Sequence, residues 1–217
     1  MGKMKNIDRP IFAIDFEGSK TIGIVEYGAV KILGGEIAEC ATRICAPETS
    51  IPAADAKFFD ITDARAKTFA PFSADVPAFC RMRTEGVFAA HNAVAEDTML
   101  RHVLPAPPIV ENPLTRRQCA SWSPYVDTCV LAKRLFRLDS AKLSNVVEKL
   151  GLFGELERCA EKFCPPDRRK YHCALFDALA CALVLVKICS FDGFENVTLD
   201  WLLKHSDAQA DTQQNLL

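Results

Sequence analysis

The chain has 217 residues, 49% of them hydrophobic, and a formal net charge of −2 at pH 7. That length and apolar content suit one self-sufficient domain, read as residues 1–206, with a polar end at 207–217 expected to be disordered. The balanced charge excludes wholesale coating of a polyanion, and the absence of an apolar run of about 18–20 residues or of a secretory leader predicts a cytoplasmic chain with no membrane partner.

The first element is the apolar run Ile11-Phe12-Ala13-Ile14, a strand that ends in Asp15 and Glu17. Gly23 to Leu33 and Glu36 to Cys45 are rich in β-branched and apolar residues, and Gly34-Gly35 between them predicts a hairpin. Pro47 to Phe72 reads as short helices and loops, Asp75 to Arg83 as a helix and Val87 to Ala90 as a short strand. A helix follows from Val94 to Leu104, ended by Pro105. Pro105 to Pro124 holds five prolines and is expected to be the least ordered interior segment. Tyr125 to Thr128 makes a last strand, with helices at Thr128–Leu138 and Ala141–Leu150. A long apolar helix runs from about Cys173 to Cys189, and Val197–His205 closes the series. A meander of three strands followed by strand–helix alternation predicts an α/β fold with a mixed sheet flanked by helices.

Ten cysteines are scattered with no C-x-x-C pair, which fits small buried thiols rather than a disulfide framework or a structural zinc. The acidic residues are more telling. In a strand, residues two apart project from one face, so Asp15 and Glu17 aim at a common point, where two anions repel unless a cation lies between them. Hard divalent ions such as Mg²⁺ or Mn²⁺ take such carboxylate ligands. A second acidic pair, Glu96 and Asp97, opens a helix just after His91-Asn92. Asp177 sits inside an apolar helix, where an unpaired carboxylate is costly, and His172 stands five residues before it. The two converge only if His172 lies in the loop or the first turn, which Pro165-Pro166 and Arg168 to Tyr171 allow. A histidine beside such a metal is suited to take a proton from water.

Asp-x-Glu at the first strand, His-Asn-x-x-x-acid at a middle helix and His-x-x-x-x-Asp at a late helix resemble the three motifs of the DEDDh 3′→5′ exonucleases, the family of the proofreading epsilon subunit of bacterial DNA polymerase III. GIVEYGAVKI, FFDITDARAKTFAPF, YVDTCVLAKRLF and HCALFDALACALVL resemble further segments of that family in the same order, from about Ile11 to Val186. The resemblance implies a ribonuclease H-like five-stranded sheet, three strands antiparallel and then two parallel. It implies that Asp15, Glu17 and Asp177 bind two divalent ions, Mg²⁺ or Mn²⁺, and that His172 is the general base. The second motif departs from the family pattern: the usual aspartate position is filled by Glu96, preceded by Ala95 rather than an aromatic, with Asp97 next. Either acid fits, and the apolar spacing of Met99 and Leu100 favours Glu96. Phe16, Gly18 and Asn92 are expected near the terminal nucleotide, with a Gly18-Ser19 turn letting backbone approach it. Arg168 and Arg169 are expected to hold a phosphate. The implied substrate is the 3′ end of single-stranded or frayed DNA or RNA. A polymerase or a second copy of the chain is the protein partner to test, and a catalytically weakened binding or accessory module is the alternative function.

Overall fold

The computed structural model describes residue 4, residues 7–194 and residues 196–206. The polar end at 207–217 lies outside the described residues. The chain opens with β1 (Ile11–Ser19), β2 (Gly23–Leu33) and β3 (Glu36–Ile44), a meander whose adjacent strands are antiparallel. Short helices α1 (Ala53–Phe59) and α2 (Asp63–Ala66) lead to α3 (Val76–Glu85). Next come β4 (Val87–Ala90) and α4 (Val94–Val103), then a small antiparallel hairpin, β5 (Val110–Glu111) and β6 (Gln118–Cys119). β7 (Tyr125–Asp127) is followed by α5 (Thr128–Leu135), α6 (Leu143–Lys149), α7 (Phe153–Phe163), α8 (Ala174–Ile188) and α9 (Leu199–His205).

The main sheet has the order β3-β2-β1-β4-β7, with β4 parallel to β1 and β7 parallel to β4. This is the mixed sheet expected from the sequence. Alternation along β1 divides its side chains between two cores. Ile11 and Ala13 face one that includes α8, whereas Phe12, Ile14 and Phe16 face an aromatic cluster with Phe72, Phe79, Phe88, Trp122 and Tyr125. Asp15 and Glu17 continue the first row and so lie on the α8 side.

Helix α8 is buried along nearly its whole length because the sheet covers one side and α6 and α7 cover others. Its largely apolar sequence, broken by Asp177 and Lys187, follows from that position. A Cβ on Gly28 of β2 would lie 2.3 Å from the Ala174 carbonyl oxygen and 2.4 Å from the Leu175 Cα, so the start of α8 rests directly on strand backbone. Gly28 pairs with Asp15 in the β1–β2 register, which sets the first turn of α8 beside the acidic end of β1.

Three local expectations need correction. The proline-rich 105–124 segment contains the β5–β6 hairpin and the buried Trp122, whose indole donates to the Leu104 carbonyl at 2.8 Å. Arg83 braces the same segment by donating to the carbonyls of Ser121 and Ser123. Helix α7 was not expected, and α5 stops at Leu135 rather than Leu138.

Gly28→Val would push a branched side chain into the backbone of α8, with no flexible neighbour to yield. We expect a loss of about 2–3 kcal/mol in urea unfolding. A variant within about 0.5 kcal/mol of the parent would contradict the packing described.

Candidate metal centre

The sequence concentrates its acids at the junction of three elements. Glu17 comes from the end of β1, Glu96 from the first turn of α4 and Asp177 from the first turn of α8, and all three are buried. Helix N-termini favour negative charge, which offsets part of the cost of placing Glu96 and Asp177 there. His172 is exposed and precedes α8 in the connecting loop, with a left-handed φ of 63°. Its backbone N–H donates to Asp177 Oδ2 at 2.8 Å, so one residue's carboxylate orients the other's loop.

Ligand atoms of Glu17, His172 and Asp177 all lie within 4.8 Å of one another. Asp15 and Glu96 stand outside that tightest set but belong to the same electrostatic cluster. Burial, then the charges of Asp177, Glu96, Glu17 and Glu26, raise the Asp15 carboxyl well above its usual range. Burial followed by Asp177 pushes Glu17 up to about 8, and burial pushes Glu96 to about 8 and Asp177 to about 7. Glu96 Oε2 and Asp177 Oδ1 are buried without a hydrogen-bond partner. A divalent cation fits these residues: it would satisfy the orphaned oxygens and offset the mutual repulsion, and a set of carboxylate oxygens suits Mg²⁺ or Mn²⁺.

The acidic pair at α4 divides. Glu96 acts electrostatically on Asp15 and Glu17, whereas Asp97 points elsewhere and pairs with Arg101 at 2.7 Å, one turn along the helix. Asn92 is exposed in the β4–α4 turn, with a left-handed φ of 77°.

Four expected substrate contacts are placed differently by the structure. The Phe16 side chain is buried against Phe72 and Phe79, on the sheet face away from the acids, because it is odd in the alternation with Asp15 and Glu17. Gly18 lies within β1 at a bulge rather than in a turn, and a Cβ there would meet the Gly23 carbonyl oxygen at 2.2 Å. Its φ of 145° and this contact account for glycine without any ligand. Arg168 is buried, not phosphate-facing: Nε and Nη2 donate to Glu26 at 2.9 and 2.6 Å, and Nη1 donates to the carbonyls of Phe59 and Asp60. Arg169 turns back to donate to the carbonyls of Glu161 and Cys164 at the end of α7.

The Arg168–Glu26 pair ties the His172 loop to β2 and to α1. Glu26 Oε2 also accepts from the Ala174 N–H at 2.9 Å, so the pair fixes the start of α8 as well. Lys170–Asp60 and Arg65–Asp167 ion pairs add exposed contacts between the same loop and the 60–65 connector. Sequence reading missed Glu26, a charge on the buried face of a strand, whose signal was its otherwise apolar surroundings.

It also missed the organising role of Asp127. This buried carboxylate accepts from the backbone N–H groups of Asn92, Ala93, Cys129 and Val130 at 2.9–3.2 Å, joining the β4–α4 turn to the β7–α5 turn. His91 is likewise structural. Its Nε2–H donates to the Ala141 carbonyl at 2.7 Å, leaving Nδ1 to accept from Thr128, and burial lowers its pKa. No disulfide forms among the described residues, and burial pushes the thiols of Cys45, Cys164 and Cys173 up to about 12, which leaves them protonated and inert.

No protein-family model matches the chain. It is 30% identical over 150 residues to a PolC-type DNA polymerase III of Thermotoga maritima, covering 67% of this chain and 10% of the polymerase. The corresponding polymerase of Thermotoga petrophila is 30% identical over 130 residues. The chain thus spans about a tenth of the curated relatives it matches. Among solved structures, Exonuclease X in complex with 5′ overhanging duplex DNA superposes with a TM-score of 0.67 at 21% identity, covering 91% of this chain and 99% of that one. A 3′-exonuclease that recognises the 3′ end of the histone mRNA stem-loop gives 0.61 at 16% identity, covering 86% and 65%. The structural likenesses show that the chain shares the fold of those nucleases.

Because the four acids have folded pKa values above their unfolded ones, the native chain without metal binds more protons than the unfolded chain between about pH 4 and about 8. Their contribution to stability is therefore fullest at the acid end of that window and is lost as pH rises through it. Thermal unfolding in chelator should show a melting temperature that falls from pH 6 to pH 8.5 in the parent and falls less in Glu17→Gln/Asp177→Asn. Equal slopes in the two proteins would refute the clustering.

Proposed function

We propose that this chain, which belongs with the DEDDh exonucleases by fold and by the order of its acidic motifs, is a metal-dependent 3′→5′ exonuclease. It hydrolyses terminal phosphodiester bonds of single-stranded or frayed DNA or RNA and releases nucleoside 5′-monophosphates. The observation that carries this reading is the convergence of Glu17, His172 and Asp177 within 4.8 Å, beside orphaned oxygens of Glu96 and Asp177.

In this reading Asp15, Glu17, Glu96 and Asp177 hold two divalent ions, which when bound polarise the attacking water and offset charge on the departing 3′ oxygen. His172, the exposed member of the cluster, takes the proton from that water. The Asp177 carboxylate holds the His172 backbone, so the base is placed by the same side chain that binds metal. Replacement of the usual aspartate by Glu96 is accommodated by burial at the first turn of α4, from which the longer side chain faces the cluster.

The approach to His172 carries Phe58, 56% exposed, with its ring centroid 4.1 Å from that of the imidazole. An exposed aromatic there offers a stacking face to an unpaired base, and stacking tolerates any base. DNA and RNA both remain substrates in this proposal, since the similar structures include one with DNA and one that recognises an mRNA stem-loop. The match to PolC-type polymerases supports a polymerase as partner or as the longer context of this sequence.

A 5′-labelled oligonucleotide should be shortened stepwise from its 3′ end in Mg²⁺ or Mn²⁺, with Asp15→Ala and Asp177→Ala each reducing the rate at least a hundredfold. Undiminished trimming by both variants would discard the assignment. Nucleic-acid binding by the parent without nucleotide release would support the weakened binding module instead.

A further inference from the structure

The side chain of His172 stands out from the fold with few restraints of its own. Its backbone N–H is tied to Asp177, but among the described residues its imidazole takes part in no hydrogen bond or ion pair. A fixed backbone still leaves χ1 and χ2 free to move between their wells, so an exposed ring needs a neighbour to keep one orientation. That neighbour is Phe58, whose ring lies 4.1 Å from the imidazole between centroids, with 41° between the planes.

Phe58 is itself held in place. It is the penultimate residue of α1, and its ring meets that of Phe59 edge-on at 5.5 Å. Phe59 is buried in a small core with Ile22, Val25, Ile51 and Ile61. The backbone that carries the two rings is clamped to the loop that carries His172. Arg168 donates to the carbonyls of Phe59 and Asp60, and Lys170 pairs with Asp60 at 2.7 Å. The end of α1 and residues 168–172 therefore form one unit, joined by these polar contacts and by one pair of exposed rings. An aromatic pair of this kind favours one ring orientation by roughly two- to tenfold.

We propose that Phe58 is a positioning residue for His172: its ring keeps the imidazole in the orientation that brings a nitrogen within 4.8 Å of the Glu17 and Asp177 oxygens. The biological meaning rests on the nuclease reading, in which His172 takes the proton from water, but the contact itself requires neither metal nor substrate. Positioning also differs from stacking on a substrate base. A stacking contact made equally in ground and transition states acts through KM, whereas an oriented base acts through kcat.

The test uses the whole chain. Phe58→Leu keeps an apolar side chain but removes the aromatic face, Phe58→Tyr keeps that face, and the exposure of Phe58 spares the core in both. In chelator, NMR of the His172 ring protons reads the contact directly, because a neighbouring aromatic ring shifts them. Phe58→Leu should move these signals toward those of a free histidine, and Phe58→Tyr should leave them near the parent's. On a single-stranded DNA oligonucleotide in Mg²⁺, Phe58→Leu should lower kcat roughly two- to tenfold, and Phe58→Tyr should restore it. In a His172→Ala background, Phe58→Leu should lower kcat no further. Unmoved His172 signals in Phe58→Leu, a defect confined to KM, or an equal loss in the His172→Ala background would overturn the proposal. A parent that trims nothing sinks the nuclease reading, and the NMR signals then still decide whether Phe58 holds the imidazole. Trimming by the parent with unmoved His172 signals in Phe58→Leu sinks this proposal alone.

Discussion

Electrostatic repulsion among buried carboxylates is the constraint around which this molecule is arranged. Asp15, Glu17, Glu96 and Asp177 come from three separate elements, and each is held above its ordinary pKa first by burial, with neighbouring carboxylates adding to every one. A fold does not assemble such a group for stability, since each unpaired anion in a low dielectric costs free energy. The arrangement is intelligible as a site whose missing charge is supplied by cations, and the surrounding packing serves to keep the acids together. Gly28 lets α8 touch the sheet at the level of Asp15. Asp127 fixes the turn from which α4 presents Glu96.

Glu26 adds a fifth carboxylate beside this group, and Arg168 answers it. The two-point contact leaves the pair electrically neutral and fully hydrogen-bonded, conditions under which a buried ion pair is tolerated. It also joins β2, the end of α1 and the loop before α8, three parts far apart in sequence. His172, the proposed base, therefore hangs from a buried ionic anchor although its own side chain is exposed, which reconciles access to solvent with a fixed position. An arginine adjacent to the His172 loop invites a phosphate-binding role; here Glu26 and the carbonyls of Phe59 and Asp60 take four of its five N–H donors.

The fold was legible because its signals are local and periodic. Apolar runs, the Gly34-Gly35 turn and strand–helix alternation after β3 specify the sheet, and period-two alternation put Asp15 and Glu17 on one face. The same alternation, carried one residue further, would have placed Phe16 in the opposite core. What escaped reading depends on long-range partners. Glu26 with Arg168, Asp127 with four backbone amides and the division of labour between Glu96 and Asp97 are decided by elements that approach only after folding. The 105–124 segment misled for a related reason. Its prolines suggest disorder, but Arg83 and the Leu104 carbonyl, which accepts from the buried Trp122, pin it from outside its own sequence.

The central claim is that these acids form a divalent-cation site. Calorimetric titration of Mn²⁺ into the protein at pH 7 tests it most directly, because filling a cluster with raised pKa values must release protons as well as heat. The account predicts saturable binding of up to two ions, a binding heat that varies with the ionisation enthalpy of the buffer, and at least tenfold weaker binding in Asp177→Asn. No saturable Mn²⁺ binding at millimolar concentration, or binding that Asp177→Asn leaves intact, would contradict it.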